Sequence, residues 1–367
     1  MTVLSEHRFR NSLVPKQGYG EEQGNGPMVT REGHIAGMVV FVNGFPGCGK
    51  TMLTPIVGSM ERVELMRFNY HLENLVELAY LGLVQDDVCT SLIRTWTDLD
   101  LYHSVMGRET NFRYADISSV FMNRRALQYI SRLLGPGDAA AVERIKKEQP
   151  ILLLTTHMLT LGGHKLFQAL GGKLRFVEVV RHPLYMIKQV RTWMPRANED
   201  PRFFFQRFEY QDNPIPWFAR GWEDLYCSSN LMDRVIHMIG YYYRSLGSFL
   251  QSLTDVERTR FLVIPFERFV IDPFPYLRQI ESLVGTQAGK ATRKMMKRQN
   301  IPRKMWAEGL NLKIYRYYGW SKPDPGSSEK EELERRRSYV AAEASDNGMR
   351  VMDDLCRTYE ERYLAGK

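Results

Sequence analysis

Cysteine is scarce in this chain and scattered. Cys48, Cys89, Cys227 and Cys356 form no C-x-x-C pair and have no histidine ligands beside them, which argues against a disulfide framework and a zinc site and points to reduced thiols. Long apolar runs are also missing. No stretch of about 18 apolar residues occurs, and the opening residues, with Glu6, Arg8 and Arg10 among them, lack the apolar centre of a secretory signal. A cytoplasmic protein with no integral membrane segment is expected. There is no long Lys/Arg block and no nucleic-acid-binding module, so the net charge of +8, from 50 basic against 42 acidic residues, points to an anionic ligand and not to nucleic acid. What the chain does have is length and apolar content: 367 residues at 44% hydrophobic suffice for one elaborated α/β domain with appendages.

The most informative segment is Gly44 to Thr51, G-F-P-G-C-G-K-T, a complete G-x-x-x-x-G-K-[ST] phosphate loop. It follows the apolar run Met38-Val39-Val40-Phe41-Val42 and precedes the helix-compatible Met52-Leu53-Thr54. Glycines let such a loop curl so that successive N–H groups point inward, the lysine adds a cation, and the next helix presents its positive end. Gly44, Phe45, Pro46, Gly47, Cys48, Gly49, Lys50 and Thr51 are therefore expected to hold a phosphoryl group.

The patterning predicts a P-loop-type doubly wound sheet, mainly parallel and flanked by helices. Short apolar runs at Ile151 to Thr155, Leu174 to Val180 and Arg260 to Pro265 read as further buried parallel strands, and a short strand is expected at Val63 to Phe68. Residues 1–33 are polar and Gly-rich, the composition of a flexible lead-in. A main domain at 34–320 follows, with a helical insertion at about 72–147 where apolar residues recur at helical spacing. Pro55 is expected in the first turn of the helix after the loop. The stretch from about 200 to 245 is crowded with aromatic rings, Phe203, Phe204, Phe205, Phe208, Trp217, Phe218, Trp222 and Tyr241-Tyr242-Tyr243 among them. They read either as helix core or as an acceptor lid whose flat rings stack on a sugar. Residues 321–367 read as a charged helical tail in which Ser328 caps a helix with Glu331 and Asn347-Gly348 turns the chain into a last helix.

A nucleotide-hydrolysing or kinase site adds to such a loop an acid at a neighbouring strand end, to hold Mg²⁺. The strand ends here read Thr155-Thr156-His157, Val180-Arg181-His182-Pro183 and Ile264-Pro265-Phe266-Glu267. The first two carry no carboxylate, and Glu178 lies inside its strand, short of the tip. An arginine at a strand end instead suits a second phosphate held without metal, because the guanidinium fork grips phosphate bidentately.

Four segments taken together resemble the sulfotransferases that use 3'-phosphoadenosine 5'-phosphosulfate. They are the loop G-F-P-G-C-G-K-T, T-T-H-M at Thr155 to Met158, V-V-R-H-P at Val179 to Pro183, and P-F-E-R-F-V-I-D-P at Pro265 to Pro273. They occur in the family's order and frame residues from about Val39 to Gly285. The resemblance implies a P-loop fold and a metal-free site. Gly47, Gly49, Lys50 and Thr51 would hold the donor's 5'-phosphosulfate, and Arg181 its 3'-phosphate. Lys50 and His157 would serve catalysis, His157 as the base that takes the acceptor's proton. In some branches a glutamate near the second strand is the base, for which Glu64 or His71 would be the local candidates.

The chain departs from the family pattern in three places. Gly47 stands where a lysine is usual and Lys50 where a threonine is, so the loop is closer to the nucleotide-kinase form. Gln189 replaces the serine eight residues after the strand-end arginine, and can still donate a hydrogen bond. The Arg-Lys-Gly element has no clean match, although Arg293, Lys294, Lys297, Arg298, Arg303 and Lys304 lie in that stretch; Arg298 and Arg303 are taken as its counterparts. The partners implied are a nucleotide donor and a hydroxyl acceptor, in the first place a carbohydrate or glycoconjugate. A Mg-ATP-dependent kinase and a non-catalytic nucleotide-binding module are the alternatives.

Overall fold

The computed structural model describes residues 27–365 apart from 115, 124 and 199. Four parallel strands, β1 (Val39–Gly44), β2 (Leu152–Thr155), β3 (Leu174–Val180) and, last in sequence, β6 (Phe261–Pro265), form a sheet in the order β2-β1-β3-β6. The register sets Val39 beside Leu152 on one flank and Leu174 on the other. Between them in sequence, β4 (Arg207–Tyr210) and β5 (Asn213–Pro216) make a separate antiparallel hairpin.

Strand alternation divides the interior into two cores. Val39 and Phe41 of β1, with Leu152, Leu154, Leu174 and Phe176, face one side. There they meet α2 (Tyr70–Tyr80), α3 (Asp86–Met106) and α6 (Gly163–Leu170) through Leu72, Val76, Ile93 and Leu166. Val40 and Val42, with Leu153, Val177 and Val179, face the other side. They pack on α1 (Lys50–Val57), α7 (Pro183–Trp193) and α9 (Leu231–Ser252) through Leu53, Ile56, Ile187, Val235 and Ile239. Between α3 and β2 lie α4 (Ala126–Arg132) and α5 (Ala139–Glu148), and α8 (Glu223–Ser228) and α10 (Asp255–Arg258) flank α9. After β6 come α11 (Phe266–Ile271), α12 (Phe274–Val284), α13 (Lys290–Arg298), α14 (Lys313–Tyr317), α15 (Glu329–Ala341) and α16 (Asp346–Tyr359).

Several details differ from the sequence expectations. Val63 to Phe68 is not a regular strand: it bridges β2 only at Val63 and Arg67, because Glu64 between them turns inward to Arg132 and Tyr129. Pro55 sits in the second turn of α1, which stops at Val57. Asn347-Gly348 lies inside the first turn of α16, whose cap is Ser345, accepting the Gly348 N–H at 3.0 Å. Ser328 and Glu331 do form a capping box on α15. Of the lead-in, 1–26 lie outside the described residues. Residues 27–33 are bonded to α3, where the Val29 N–H donates to Asp87 and Arg31 pairs with Asp98.

Candidate nucleotide and acceptor site

The strand tips set the site. At the end of β1 the loop turns through Gly47 (φ 90°) and Gly49 (φ 99°), left-handed conformations that suit glycine. Space excludes side chains there too: a Cβ on Gly49 would overlap the Phe266 ring, and one on Gly47 would come 3.1 Å from Gln189 Oε1. Lys50 opens α1 and is 3% exposed. Its Nζ donates back to Gly44 O at 3.1 Å and Phe45 O at 3.3 Å, and burial holds its pKa below the usual lysine value.

Beneath the loop, Asn43 ties three strands together. Its Oδ1 accepts from Thr156 Oγ1 and from the Leu159 N–H, both at 3.0 Å, and its Nδ2 donates to Glu178 at 2.7 Å. Glu178 is fully buried, also accepts the Tyr242 hydroxyl, and is pushed up to about 7 by burial. It is held in the interior and does not line the cavity.

His157 follows the end of β2. Its Nδ1 lies 3.2 Å from each carboxylate oxygen of Glu73 on α2, and its ring stacks on Phe68 with centroids 6.2 Å apart. Where that carboxylate is ionised it can only accept, and the shared proton then sits on Nδ1. One turn further along α2, Glu77 accepts the Gln206 N–H at 2.7 Å. Burial first, with repulsion from Glu73, raises its pKa to about 8.

Arg181 stands at the end of β3. Its backbone is clamped by Tyr243, which accepts the Arg181 N–H at 3.0 Å and donates to its carbonyl at 2.5 Å. The guanidinium donates through Nη1 to Gly47 O at 2.9 Å. It lies 4.1 Å from the Phe266 ring centroid and 5.0 Å from that of Tyr185. Its Nε is buried with no partner among the described residues. Arg303 approaches Phe266 too, at 5.6 Å, while donating to the carbonyls of Asn300, Glu308 and Gln299. Burial and the neighbouring Arg181 charge bring it down to about 10. Crowded, desolvated guanidiniums of this kind favour a bound anion.

Lys50, Glu73, Glu77, His157, Arg181 and Arg303 open on one cavity of about 600 Å³. Of the residues singled out in the sequence, Pro46, Gly47, Gly49, Lys50, Thr51, His157, Arg181, Gln189 and Arg303 line it. Gly44, Phe45 and Cys48 do not: they are buried behind the loop, where Phe45 packs on Tyr242 and Cys48 joins the core. Arg298 is also elsewhere, its guanidinium against Met122 Sδ, because α13 turns that face outward. Arg293, Lys294, Lys297 and Lys304 stay off the lining too. Glu64 is held in a buried bidentate pair with Arg132, 2.6 and 2.9 Å, and His71 packs beside Trp96 outside the cavity.

The aromatic stretch divides. Phe203, Phe204, Phe205, Trp217 and Phe218 wall the cavity with Phe68, Tyr70 and Trp193, whereas Trp222, Tyr226 and Tyr242 are core. Sequence reasoning missed Glu73 and Glu77. Their signal was available: two acids four residues apart, interleaved with the buried Leu72, Leu75, Val76 and Ala79 of one helix. It also missed Tyr185, Phe266 and Arg336, and the rim contributed by Tyr315, Tyr318 and Trp320.

No protein-family model matches the sequence, and no curated relative matches it. Solved structures with loosely similar folds include the sulfotransferase domain of the curacin biosynthetic pathway, 13% identical over 85% of this chain and 100% of that one, with a TM-score of 0.37. The sulfotransferase domain of the Synechococcus PCC 7002 olefin synthase is 13% identical over 85% of this chain and 97% of that one, TM-score 0.37. Mouse sulfotransferase SULT7A1 complexed with PAP is 11% identical over 89% and 90%, TM-score 0.34. Overlaps this loose leave the function to be read from the chain's own site.

Proposed function

We propose that the protein is a sulfotransferase that moves a sulfuryl group from 3'-phosphoadenosine 5'-phosphosulfate to an acceptor hydroxyl. The observation that carries this reading is the pairing, in one cavity, of a phosphate loop with a separate cluster of guanidiniums that includes Arg181, whose buried Nε has no partner among the described residues. A nucleotide with anionic groups at both its 5' and 3' positions fits two such centres. The loop N–H groups, Lys50 and Thr51 would take the 5' end, and Arg181 and Arg303 the 3'-phosphate. No carboxylate from β3 reaches the loop, since Glu178 is bonded to Asn43 and Tyr242 inside.

In this reading His157 acts as the base. Glu73 fixes the proton on Nδ1, so Nε2 accepts the acceptor's hydroxyl proton as that oxygen bonds to sulfur and the bond from sulfur to the bridging oxygen breaks. Lys50, freed from the carbonyls it now faces, would stabilise the charge gathering on the departing phosphate oxygen. The aromatic wall supports an acceptor with flat or ring-shaped faces, a carbohydrate or glycoconjugate in the first place.

Calorimetry with adenosine 3',5'-bisphosphate and with ATP, each with and without Mg²⁺, tests the reading. Tight binding of the bisphosphate, unchanged by Mg²⁺, is expected. A preference for Mg-ATP would overturn the proposal in favour of phosphoryl transfer.

A further inference from the structure

The arginine side of the cavity is not built by the sheet alone. Helix α15, from the charged C-terminal segment, crosses it. The Glu329 carboxylate at its start accepts the Tyr185 hydroxyl and the Trp306 N–H, the latter at 2.8 Å, which ties α7 to the chain that follows Arg303. Two turns on, Arg336 lines the cavity and lays its guanidinium 4.1 Å from the Tyr185 ring centroid, the same ring that Arg181 approaches at 5.0 Å. The two guanidiniums therefore share one aromatic platform.

Each has an acid near it, Glu267 by Arg181 and Glu332 on Arg336, yet neither guanidinium is used up. Arg336 uses Nε and Nη2 on Glu332 Oε1, at 2.8 and 2.6 Å, and the other oxygen of that carboxylate is taken by Arg335. Arg335 also reaches Asp324 at 3.3 Å, and Nη1 of Arg336 makes no hydrogen bond among the described residues. Lys188, also lining the cavity, carries a pKa lowered by burial and then by Arg336 and Arg335. Gln189 does not supply the missing grip on this side, because its amide lies over Gly47 of the loop.

We propose that α15 is part of the nucleotide site, and that Arg336 works with Arg181 to hold the phosphate on the nucleotide's 3' side, a role left open by Gln189. This rests on the sulfotransferase reading above. The Tyr185 ring keeps both planar cations in place, and the shared Glu332 fixes the orientation of Arg336 while leaving a terminal nitrogen to donate. The segment that reads in the sequence as a charged helical tail would then close the site.

The test compares adenosine 3',5'-bisphosphate with adenosine 5'-monophosphate, which lacks the 3' group, on wild type, R336Q and R336K. R336Q should weaken the bisphosphate by about ten-fold or more while leaving the monophosphate within about two-fold. R336K keeps the charge without the fork and should fall between the two, and it holds the helix should the glutamine variant not fold. Unchanged bisphosphate affinity in R336Q and R336K overturns the inference, and so does an equal loss for both nucleotides, which would make α15 a scaffold only. If wild type itself does not prefer the bisphosphate to the monophosphate, it is the sulfotransferase reading that fails.

Discussion

The two sides of the cavity are made in different ways. The loop side is one continuous segment: Gly47 and Gly49 supply the curl, Lys50 the charge and Thr51 the hydroxyl, and Asn43 braces the strand below. The arginine side is assembled from five places, Arg181 at the tip of β3, Tyr185 on α7, Phe266 on α11, Arg303 after α13 and Arg336 on α15. A local design is fixed by backbone conformation, and its failures should be abrupt. A dispersed design is fixed by packing among side chains, and its failures should be graded.

Substitutions at the loop and at the base beside it should give the largest effects. H157A is expected to lower kcat by about 10²–10⁴-fold with bisphosphate binding retained, since general-base catalysis contributes on that scale. Single-turnover rates and calorimetry on the same variant check this, and an unchanged rate would remove His157 from the chemistry. K50M should cost about 10²–10³ in turnover, the scale of one preorganised donor to a developing anion. A loss confined to KM would assign Lys50 to ground-state binding alone. G49A should destabilise the fold by roughly 1–3 kcal/mol, because alanine at a positive φ is strained and here also meets the Phe266 ring, and urea unfolding will show it. A near-neutral G49A would mean that the loop is less rigid than the comparison requires.

E73Q sharpens the contrast from the other direction. An amide can still accept the Nδ1 proton but carries no charge to support an imidazolium, so a drop in kcat of about ten-fold is expected, with the acidic limb of the pH–rate profile moved to lower pH. A purely structural role for Glu73 would leave that profile in place.

The smallest expected effect concerns Glu77. Its carboxyl titrates near 4.5 when unfolded and at about 8 when folded, so between those values the folded state holds the proton and stability falls as pH rises. E77Q should abolish that fall and gain roughly 1–3 kcal/mol relative to wild type at pH 8.5 compared with pH 5. Glu178, with a folded value of about 7, adds a slope of the same sign that E77Q should leave intact. Denaturant midpoints at the two pH values decide it.

The same contrast explains what the sequence discloses. The strands at Leu174 to Val180 and around Val39 were legible because buried parallel strands are short apolar runs, and the loop because its spacing is local. Arg181 was legible because a strand tip is a position that can be counted. Arg336 was not, since in the run Glu329 to Arg337 nothing distinguishes the one arginine that packs on Tyr185 from its exposed neighbours. Arg298 and Arg303 were equally credible in sequence, and only the turn after α13 separates the one that lines the cavity from the one that faces Met122. Glu64 and Glu73 were likewise two acids near one strand, distinguished only by which face of the chain met Arg132 and which met His157.

The bonds of Asn43 have a bearing on tolerance to different substrates. One amide oxygen fastens both Thr156, just before His157, and Leu159, two residues after it, to the strand that carries the phosphate loop. Under the proposed function, the gap between His157 and the loop is therefore a fixed gauge within the scaffold. Acceptors of different girth would have to be accommodated at the Phe203–Phe205 wall and the Tyr315–Trp320 rim, so selectivity could drift there without retuning the reacting distance.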